Sequence, residues 1–175
     1  MISTPYSVGV YVHLPWCIHK CPYCDFNSHE ASQEKVRSIE EEYVDSLIDE
    51  FNFYQELIKD RIITSIFFGG GTPSLISPKL FAKLINAINK NFNLSETEIT
   101  LEANPGTIDI ENFQAYAELG INRVSLGIQS FNDNHLQCLE RIHTSIEAKY
   151  AIEVVKKYFK NFNLDLMFGL PNQSL

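Results

Sequence analysis

The sequence predicts an α/β fold in which helices cover a parallel sheet. Segments rich in β-branched and aromatic residues alternate along the chain with longer segments of helical periodicity. Glycine-rich, polar or charged residues follow the predicted strands, and the carboxyl ends of parallel strands are where active residues gather. The 175 residues, 45% hydrophobic and 21% charged, suffice for the core of one soluble domain. We therefore expect either an open doubly wound sheet or a barrel-like arc.

Five strands and four long helices follow from the spacing of apolar residues and from helix start and stop signals. The strands are expected at 8–13, 62–68, 98–103, 123–128 and 162–168, and the helices at 34–59, 78–92, 109–119 and 145–158. The first helix repeats apolar residues every three or four positions, which gives it one buried face. Ser77 is a suitable N-cap before Pro78 at the start of the second helix, and Gly120 ends the third. Thr144 and Glu147 form a capping-box pair before the fourth.

Charge and hydropathy exclude several classes of protein. The 14 Lys and Arg residues set against 22 Asp and Glu give a net charge of −8, which argues against non-specific binding of nucleic acid. No apolar segment approaches the ~18 residues of a membrane-spanning helix. Residues 1–5 lack the basic and apolar segments of a signal peptide, so we expect a cytoplasmic protein. One domain over 1–175 is expected, truncated after the fifth strand because no helix follows to cover that strand.

Three cysteines lie within eight residues, directly after the first predicted strand. Cys17, Cys21 and Cys24 have the spacing C-x3-C-x2-C, which suits one metal centre better than a set of disulfides. Three thiolates can hold an iron–sulfur cluster and leave one iron free for a small molecule. Structural zinc with a histidine as fourth ligand is an alternative, and unligated thiols are another. The histidines near enough in sequence to complete a zinc site are His13, His19 and His29.

A run of three glycines ends the second predicted strand. Gly69, Gly70 and Gly71 precede Thr72 and Pro73, and glycines allow close approach of the backbone to a ligand. The run lacks the lysine of a phosphate-binding loop and does not match G-x-G-x-x-G. A sharp turn without a ligand is the other interpretation.

Taken together, these motifs resemble the radical S-adenosylmethionine (SAM) superfamily, and within it the oxygen-independent coproporphyrinogen oxidase family. The resemblance runs from about Tyr11 to Leu175 and rests on several segments in the same order. The segments are YVHLPWC at 11–17, CPYCDFNS at 21–28, FGGGTPS at 68–74, EANPG at 102–106, GIQSF at 127–131, and LDL with GLP at 164–166 and 169–171. The resemblance implies a partial (β/α) barrel of the radical SAM type.

The resemblance also implies roles for single residues. Cys17, Cys21 and Cys24 would hold a [4Fe-4S] cluster to which SAM binds. The residues implied to contact or border SAM are Tyr11, Tyr23, Gly70, Gly71, Thr72 and Glu102. Gln129, Arg141 and Asp165 match positions that line SAM sites in the oxidases.

One departure from the oxidase pattern is informative. The decarboxylating enzymes carry a further cysteine two positions after the third, and this chain has Phe26 there. The run from Cys24 to Ser28 instead resembles the heme-chaperone (HemW-type) branch. The resemblance therefore implies binding of heme and its delivery to an acceptor protein, with coproporphyrinogen III oxidation as the alternative.

Three further expectations concern residues outside these motifs. Cys138 lies between Leu136 and Leu139 and is expected to be a small buried hydrophobe. The segment Glu40–Glu42 is expected to be a solvated helix face. His13 is expected to make a local hydrogen bond, and a position facing heme or the cluster is the alternative.

Overall fold

The computed structural model describes residues 6–174, and within this range the chain folds into a five-stranded parallel sheet packed against α-helices. The strands are β1 (Ser7–Leu14), β2 (Trp16–Cys17), β3 (His29–Glu30), β4 (Ile62–Gly70), β5 (Glu98–Ala103), β6 (Arg123–Gln129) and β7 (Asn161–Leu166). The α-helices are α1 (Gln33–Ile58), α2 (Pro78–Asn89), α3 (Ile110–Glu118), α4 (Asp133–Cys138) and α5 (Ser145–Tyr158). Short 3-10 helices cover Pro73–Leu75 and Pro105–Thr107. The predicted α/β class is confirmed.

The large sheet has the order β1-β4-β5-β6-β7, and every neighbouring pair is parallel. At least one helix joins each pair of neighbours along the chain. In the described part of the chain the sheet is not closed, because β1 and β7 are its two edges. An open parallel sheet of this kind agrees with the partial barrel that the resemblance implies. Strands β2 and β3 form a separate two-stranded parallel sheet that the periodicity did not indicate.

Alternate strand positions divide the sheet into an apolar face and a polar face. Phe68, Leu101 and Leu126 are fully buried and belong to one hydrophobic cluster with side chains of the helices. The intervening positions, such as Glu102 and Gln129, point away from that cluster toward the concave side. The core therefore holds the sheet while leaving polar side chains available on its inner face.

Helix boundaries mostly follow the predicted signals. Gly120 has φ of +92° just after α3, and Thr144 and Glu147 make both bonds of the capping box of α5. Ser77 differs, since its side chain makes no capping hydrogen bond at α2. Its backbone N–H instead donates to Glu40 Oε2 at 3.0 Å.

Glu40 corrects the expectation that 40–42 is a solvated face. Its side chain is buried between α1 and α2, where it also accepts from Arg37 Nη1 at 3.0 Å. Glu41 and Glu42 are exposed as expected. A carboxylate is tolerated in this buried position because a guanidinium and a backbone N–H both bind it.

Two more expectations are corrected in the second half of the chain. Strand β7 ends at Leu166, so Phe168 lies beyond it and is 93% exposed. Cys138 is exposed on α4, while its neighbours Leu136 and Leu139 take the buried positions. Within residues 6–174, none of the helices combines the length and apolar character needed to cross a bilayer. The prediction made from residues 1–5 lies outside the described range.

Candidate functional site

A cavity of about 710 Å³ lies on the concave side of the sheet, beside the loop that follows β1. Its wall brings together the cysteine loop, the glycine loop and the inward-facing side chains of β5, β6 and β7. Ten of the twelve residues singled out from the sequence line it: Cys17, Cys21, Tyr23, Cys24, Gly71, Thr72, Glu102, Gln129, Arg141 and Asp165. Tyr11 and Gly70 are not in its wall.

The three cysteines of the loop are free thiols that face this cavity together. Cys21 is buried, and Cys17 and Cys24 are half-buried. The backbone N–H of Cys24 donates to the carbonyl of Cys21 at 3.0 Å, which forms a tight turn between the last two thiols. Pairing of β2 with β3 closes the loop at its base, where Cys17 lies opposite Glu30.

The described residues do not form a preassembled site for a single metal ion. Among residues 6–174, no three His, Cys, Asp or Glu side chains are arranged to hold one ion. A tetrahedral zinc site with Zn–S bonds of ~2.3 Å needs its sulfurs about 3.8 Å apart. His13 and His19 are engaged elsewhere, His19 with Glu30 at 3.1 Å. A cluster of several irons and sulfides is larger than one ion and takes thiolates that stand farther apart.

The surroundings of Cys17 fit a thiolate ligand. Burial raises the pKa of the Cys17 thiol, and the neighbouring hydroxyls of Thr72 and Ser28 offset part of that rise. The buried Ser28 Oγ has the Cys17 thiol as its neighbour, and it has no other hydrogen-bond partner within the described residues. A buried donor without an acceptor costs free energy, and a bound thiolate or sulfide beside it would satisfy that donor.

The glycine loop (69–71) packs so closely against the start of the cysteine loop that a side chain at position 71 would clash with it. Gly71 N–H donates to Leu14 O at 2.8 Å, and Thr72 N–H donates to Trp16 O at 2.7 Å. A Cβ on Gly71 would lie 2.5 Å from Trp16 O. Glycine is thus needed here for packing against the cysteine loop. Gly71 and Thr72 also line the cavity, so the same segment can form a sharp turn and approach a ligand.

Tyr11 and Gly70 do not line the cavity, and both lie against His13. The Tyr11 hydroxyl lies 2.9 Å from His13 Nδ1, and His13 Nε2 lies 2.8 Å from the carbonyl oxygen of Asn27. A carbonyl only accepts, so Nε2 carries the proton and Nδ1 accepts from the tyrosine. Gly70 has φ of +117°, and a Cβ there would be 2.7 Å from the His13 ring. The expected local hydrogen bond of His13 is the one with Tyr11, and a second bond joins His13 to Asn27, 14 positions along the chain.

Glu102 connects the end of β5 to the glycine loop. Its Oε2 accepts from the backbone N–H of Gly70 at 3.1 Å. Burial raises the pKa of the Glu102 carboxyl, and the nearby charge of Asp165 raises it further. Two carboxylates thus face the same cavity at short range, which favours a cationic ligand between them.

Arg141 lies on the loop before α5 and contacts the cysteine loop from across the cavity. Its Nη1 lies 3.4 Å from both Cys21 Sγ and the Tyr23 hydroxyl, and Nη2 donates to Gly127 O at 2.7 Å. Burial raises the pKa of Tyr23 to about 12, so the phenol stays neutral. Arg141 Nε is buried and has no partner among the described residues. This guanidinium retains donor capacity for an anionic group in the cavity.

Gln129 ends β6 in an unusual backbone conformation. Its φ is +65°, and its carbonyl accepts from Met167 N–H at 2.9 Å, where the register between β6 and β7 shifts. Such irregularities at the end of a strand redirect side chains. Here the shift places the Gln129 side chain in the cavity wall.

Sequence reasoning missed a polar group deeper in the cavity. It comprises Arg123 and Ser125 on β6 and Asn163 on β7, all of which line the cavity. The signal was available, because Arg123 and Ser125 alternate with the buried Val124 and Leu126, so they had to share the inner face.

Comparison with known proteins identifies similar chains. Residues 11–175 match the Radical SAM superfamily. The chain is 48% identical over 174 residues to the heme chaperone HemW of Haemophilus influenzae, covering 96% of this chain and 45% of that protein. It is 42% identical to the heme chaperone HemW of Escherichia coli, covering 100% of this chain and 46% of that protein.

A solved structure shows the same fold. Coproporphyrinogen III oxidase (HemN) from Escherichia coli, a radical SAM enzyme, superimposes with a TM-score of 0.83 at 27% identity. The match covers 97% of this chain and 38% of that protein. The chain thus spans a little under half the length of the curated relatives it matches.

Proposed function

Because the chain belongs to the radical SAM superfamily, we propose that it forms the SAM-binding core of a heme chaperone, which binds heme and passes it to an acceptor protein. The observation that carries this proposal is Phe26, which occupies the position of the extra cysteine of the decarboxylating enzymes. The similarity to HemW proteins supports the same branch. Membership of the superfamily implies SAM and a [4Fe-4S] cluster as cofactors.

In this proposal Cys17, Cys21 and Cys24 hold the cluster. Three thiolates leave one of four irons without a protein ligand, and a bound cluster would supply a coordination position for SAM and an electron at low potential. The free thiols, their shared cavity and the Ser28 hydroxyl beside Cys17 support this assignment. Free thiols also agree with a reducing compartment, so we assign the protein to the cytoplasm.

The remaining cavity residues would bind SAM by charge and shape. SAM carries a sulfonium, an ammonium and a carboxylate. Glu102 and Asp165 suit the cationic groups, and Arg141 suits the carboxylate. Tyr23 lies at the cavity wall, where its ring suits the adenine. Tyr11 and Gly70 would act indirectly, by holding His13 and Glu102 in place.

Phe26 offers an apolar surface beside this site. It lines the cavity and is 62% exposed, which is unusual for a side chain of this size. A flat macrocycle such as heme can bury such a ring. Phe26 is the residue of the cysteine loop that we assign to heme contact.

Heme titration tests the proposal. Hemin is added to the anaerobically reconstituted protein, and a saturable shift of the Soret band is the expected result. Phe26→Ala should weaken the apparent affinity, whereas the Cys138→Ala control on α4 should not. The absence of any Soret shift would overturn the assignment of heme binding.

Coproporphyrinogen III oxidation is the second candidate, favoured by the TM-score of 0.83 with the Escherichia coli oxidase. It predicts release of carbon dioxide from coproporphyrinogen III under anaerobic conditions with SAM and a reductant. Turnover by the wild-type chain would support this candidate over the chaperone. We expect none, and we expect Phe26→Cys alone to be insufficient to create it.

A further inference from the structure

The polar group at the inner end of the cavity forms a closed ring of hydrogen bonds around Asp165. Asn163 Nδ2 donates to Asp165 Oδ1 at 2.8 Å and to Ser125 Oγ at 3.0 Å. Ser125 Oγ donates in turn to Asp165 Oδ2 at 3.0 Å. Each oxygen of the carboxylate therefore receives one donor from the protein. The remaining lone pairs are free to accept from a ligand in the cavity.

Arg123 fixes the direction of the asparagine amide. Its Nη2 donates to Asn163 Oδ1, and its Nη1 donates to Thr100 Oγ1 at 3.3 Å. Thr100 is buried on β5, so the guanidinium is held between two neighbouring strands. An amide whose oxygen accepts from arginine must present its nitrogen to the other side. Here that side is Asp165.

The chain of contacts spans three adjacent strands and ends on a cavity carboxylate. Without Arg123, Asn163 Oδ1 loses the donor that anchors it, so the amide is free to leave the position in which Nδ2 donates to Asp165 Oδ1. The Asp165 carboxylate would then lose the donor to Oδ1 and its fixed orientation. Glu102 lies close enough for Asp165 to raise its pKa, so the position of Asp165 also determines the field at Glu102.

We propose that Arg123, acting through Asn163, is a positioning residue that orients the Asp165 carboxylate for SAM. This inference rests on the proposed SAM site, but the hydrogen-bonded relay Arg123–Asn163–Asp165 is a property of the chain itself. Arg123 need not touch the ligand to affect its binding. No such role follows from the sequence motifs, because Arg123 lies at the start of β6 rather than at its end.

The first experiment needs no ligand. The protein is labelled with 15N at asparagine, and the side-chain amide signals of Asn163 are assigned by loss in Asn163→Ser. We expect these signals to be shifted and slow to exchange in the wild-type chain, and to move to the values of exposed asparagines in Arg123→Gln. Asn161→Ala is the matched control, since Asn161 is an exposed residue two positions earlier on the same face of β7. Signals of Asn163 that are unchanged in Arg123→Gln would overturn the relay.

The second experiment measures SAM affinity by calorimetry with reconstituted protein. Arg123→Gln and Asn163→Ala are each expected to raise the dissociation constant about tenfold. Asn161→Ala is the control on the same strand and should change it less than twofold. In an Asp165→Asn background, Arg123→Gln should have no further effect, because the relay then has no carboxylate to orient.

The outcomes separate the two proposals. Additive losses from Arg123→Gln and Asp165→Asn would overturn the positioning role, since they would mean that the two residues act independently. A wild-type chain that binds no SAM would contradict the proposed site, while the amide signals would still report on the relay.

Discussion

The imidazole of His13 is bound to the backbone carbonyl of Asn27 across 14 positions of sequence, at 2.8 Å. Asn27 comes three residues after the last cysteine of the loop, and His13 lies on β1, four residues before the first. One side chain thus ties the strand before the cysteine loop to the segment after it. The Tyr11 hydroxyl holds the other ring nitrogen, which keeps the imidazole in one tautomer.

We expect loss of this bond to loosen the cysteine loop. His13→Phe keeps an aromatic ring but removes both hydrogen bonds, at a cost of roughly 1–2 kcal/mol. The reconstituted variant should lose iron faster than wild type when a chelator is added, as followed by absorbance. His13→Gln retains an N–H donor at a similar reach and should recover part of the retention. Equal rates of iron loss in the wild-type protein and both variants would contradict the role of His13 in holding the cysteine loop.

Gly70→Ala should be strongly destabilising. The substitution combines a strained backbone at φ of +117° with a Cβ 2.7 Å from the His13 ring. Gly120→Ala is the matched control, because it has φ of +92° and no atom within 4 Å of the added carbon. We expect the free energy of unfolding to fall by about 1–2 kcal/mol in the control and by about 3 kcal/mol or more in Gly70→Ala. Urea denaturation measures both, and similar losses would mean that contact with His13 does not matter.

Removing any thiol of the loop should abolish the cluster. Alanine substitution of Cys17, Cys21 or Cys24 is expected to remove most iron, sulfide and brown colour after reconstitution, since two thiolates hold a cluster poorly. Cys138→Ala should reconstitute as wild type, because that thiol is exposed on α4. Iron and sulfide analysis with absorbance provides the measurement. A variant of the loop with undiminished iron would refute the assignment of the ligands.

Glu40→Ala should destabilise the contact between α1 and α2. The substitution leaves the Ser77 N–H and the Arg37 guanidinium without their acceptor. We therefore expect the free energy of unfolding to fall by about 2–4 kcal/mol. Glu41→Ala, one position along on the exposed face, should change the free energy of unfolding by less than about 0.5 kcal/mol. Chemical denaturation distinguishes the two. A small effect at Glu40 would restore the interpretation of a solvated face.

His143 should make stability depend on pH. Burial lowers the pKa of its imidazole from 6.5 to about 4. Between these values the unfolded chain binds a proton that the folded chain does not, so stability falls as the pH drops from 6.5 toward 4. The loss attributable to His143 reaches about 3 kcal/mol at most. His143→Gln retains a donor for Ile128 O and should show a flatter profile, whereas an unchanged profile would assign the dependence to other groups.

Local features of the fold were predictable because their causes are local. The capping box of Thr144 and Glu147 and the positive φ of Gly120 each depend on a few neighbouring residues. Glu40 was misjudged because the residue it binds, Ser77, lies 37 positions away. Cys138 was misjudged because a six-residue helix is too short for its apolar spacing to select a face.

The sequence predicted which residues line the cavity better than it predicted which of them contact one another. The carboxyl ends of parallel strands meet on one side, which is enough to bring Cys17, Glu102 and Gln129 to one cavity. The contact of Arg141 with Cys21 joins residues 120 positions apart, and no spacing in the sequence encodes it. Tyr11 and Gly70, to which the resemblance gives direct roles, do not line the cavity, and their roles stay predictions.

Within residues 6–174, the five strands of the large sheet lie in space in the order in which the ribosome makes them. Each new strand can add to the outer edge left by its predecessor, as soon as the intervening helix has emerged. No later segment has to be inserted between two strands that have already paired. Assembly during synthesis can therefore proceed from β1 toward β7 in one direction, and every intermediate exposes one growing edge.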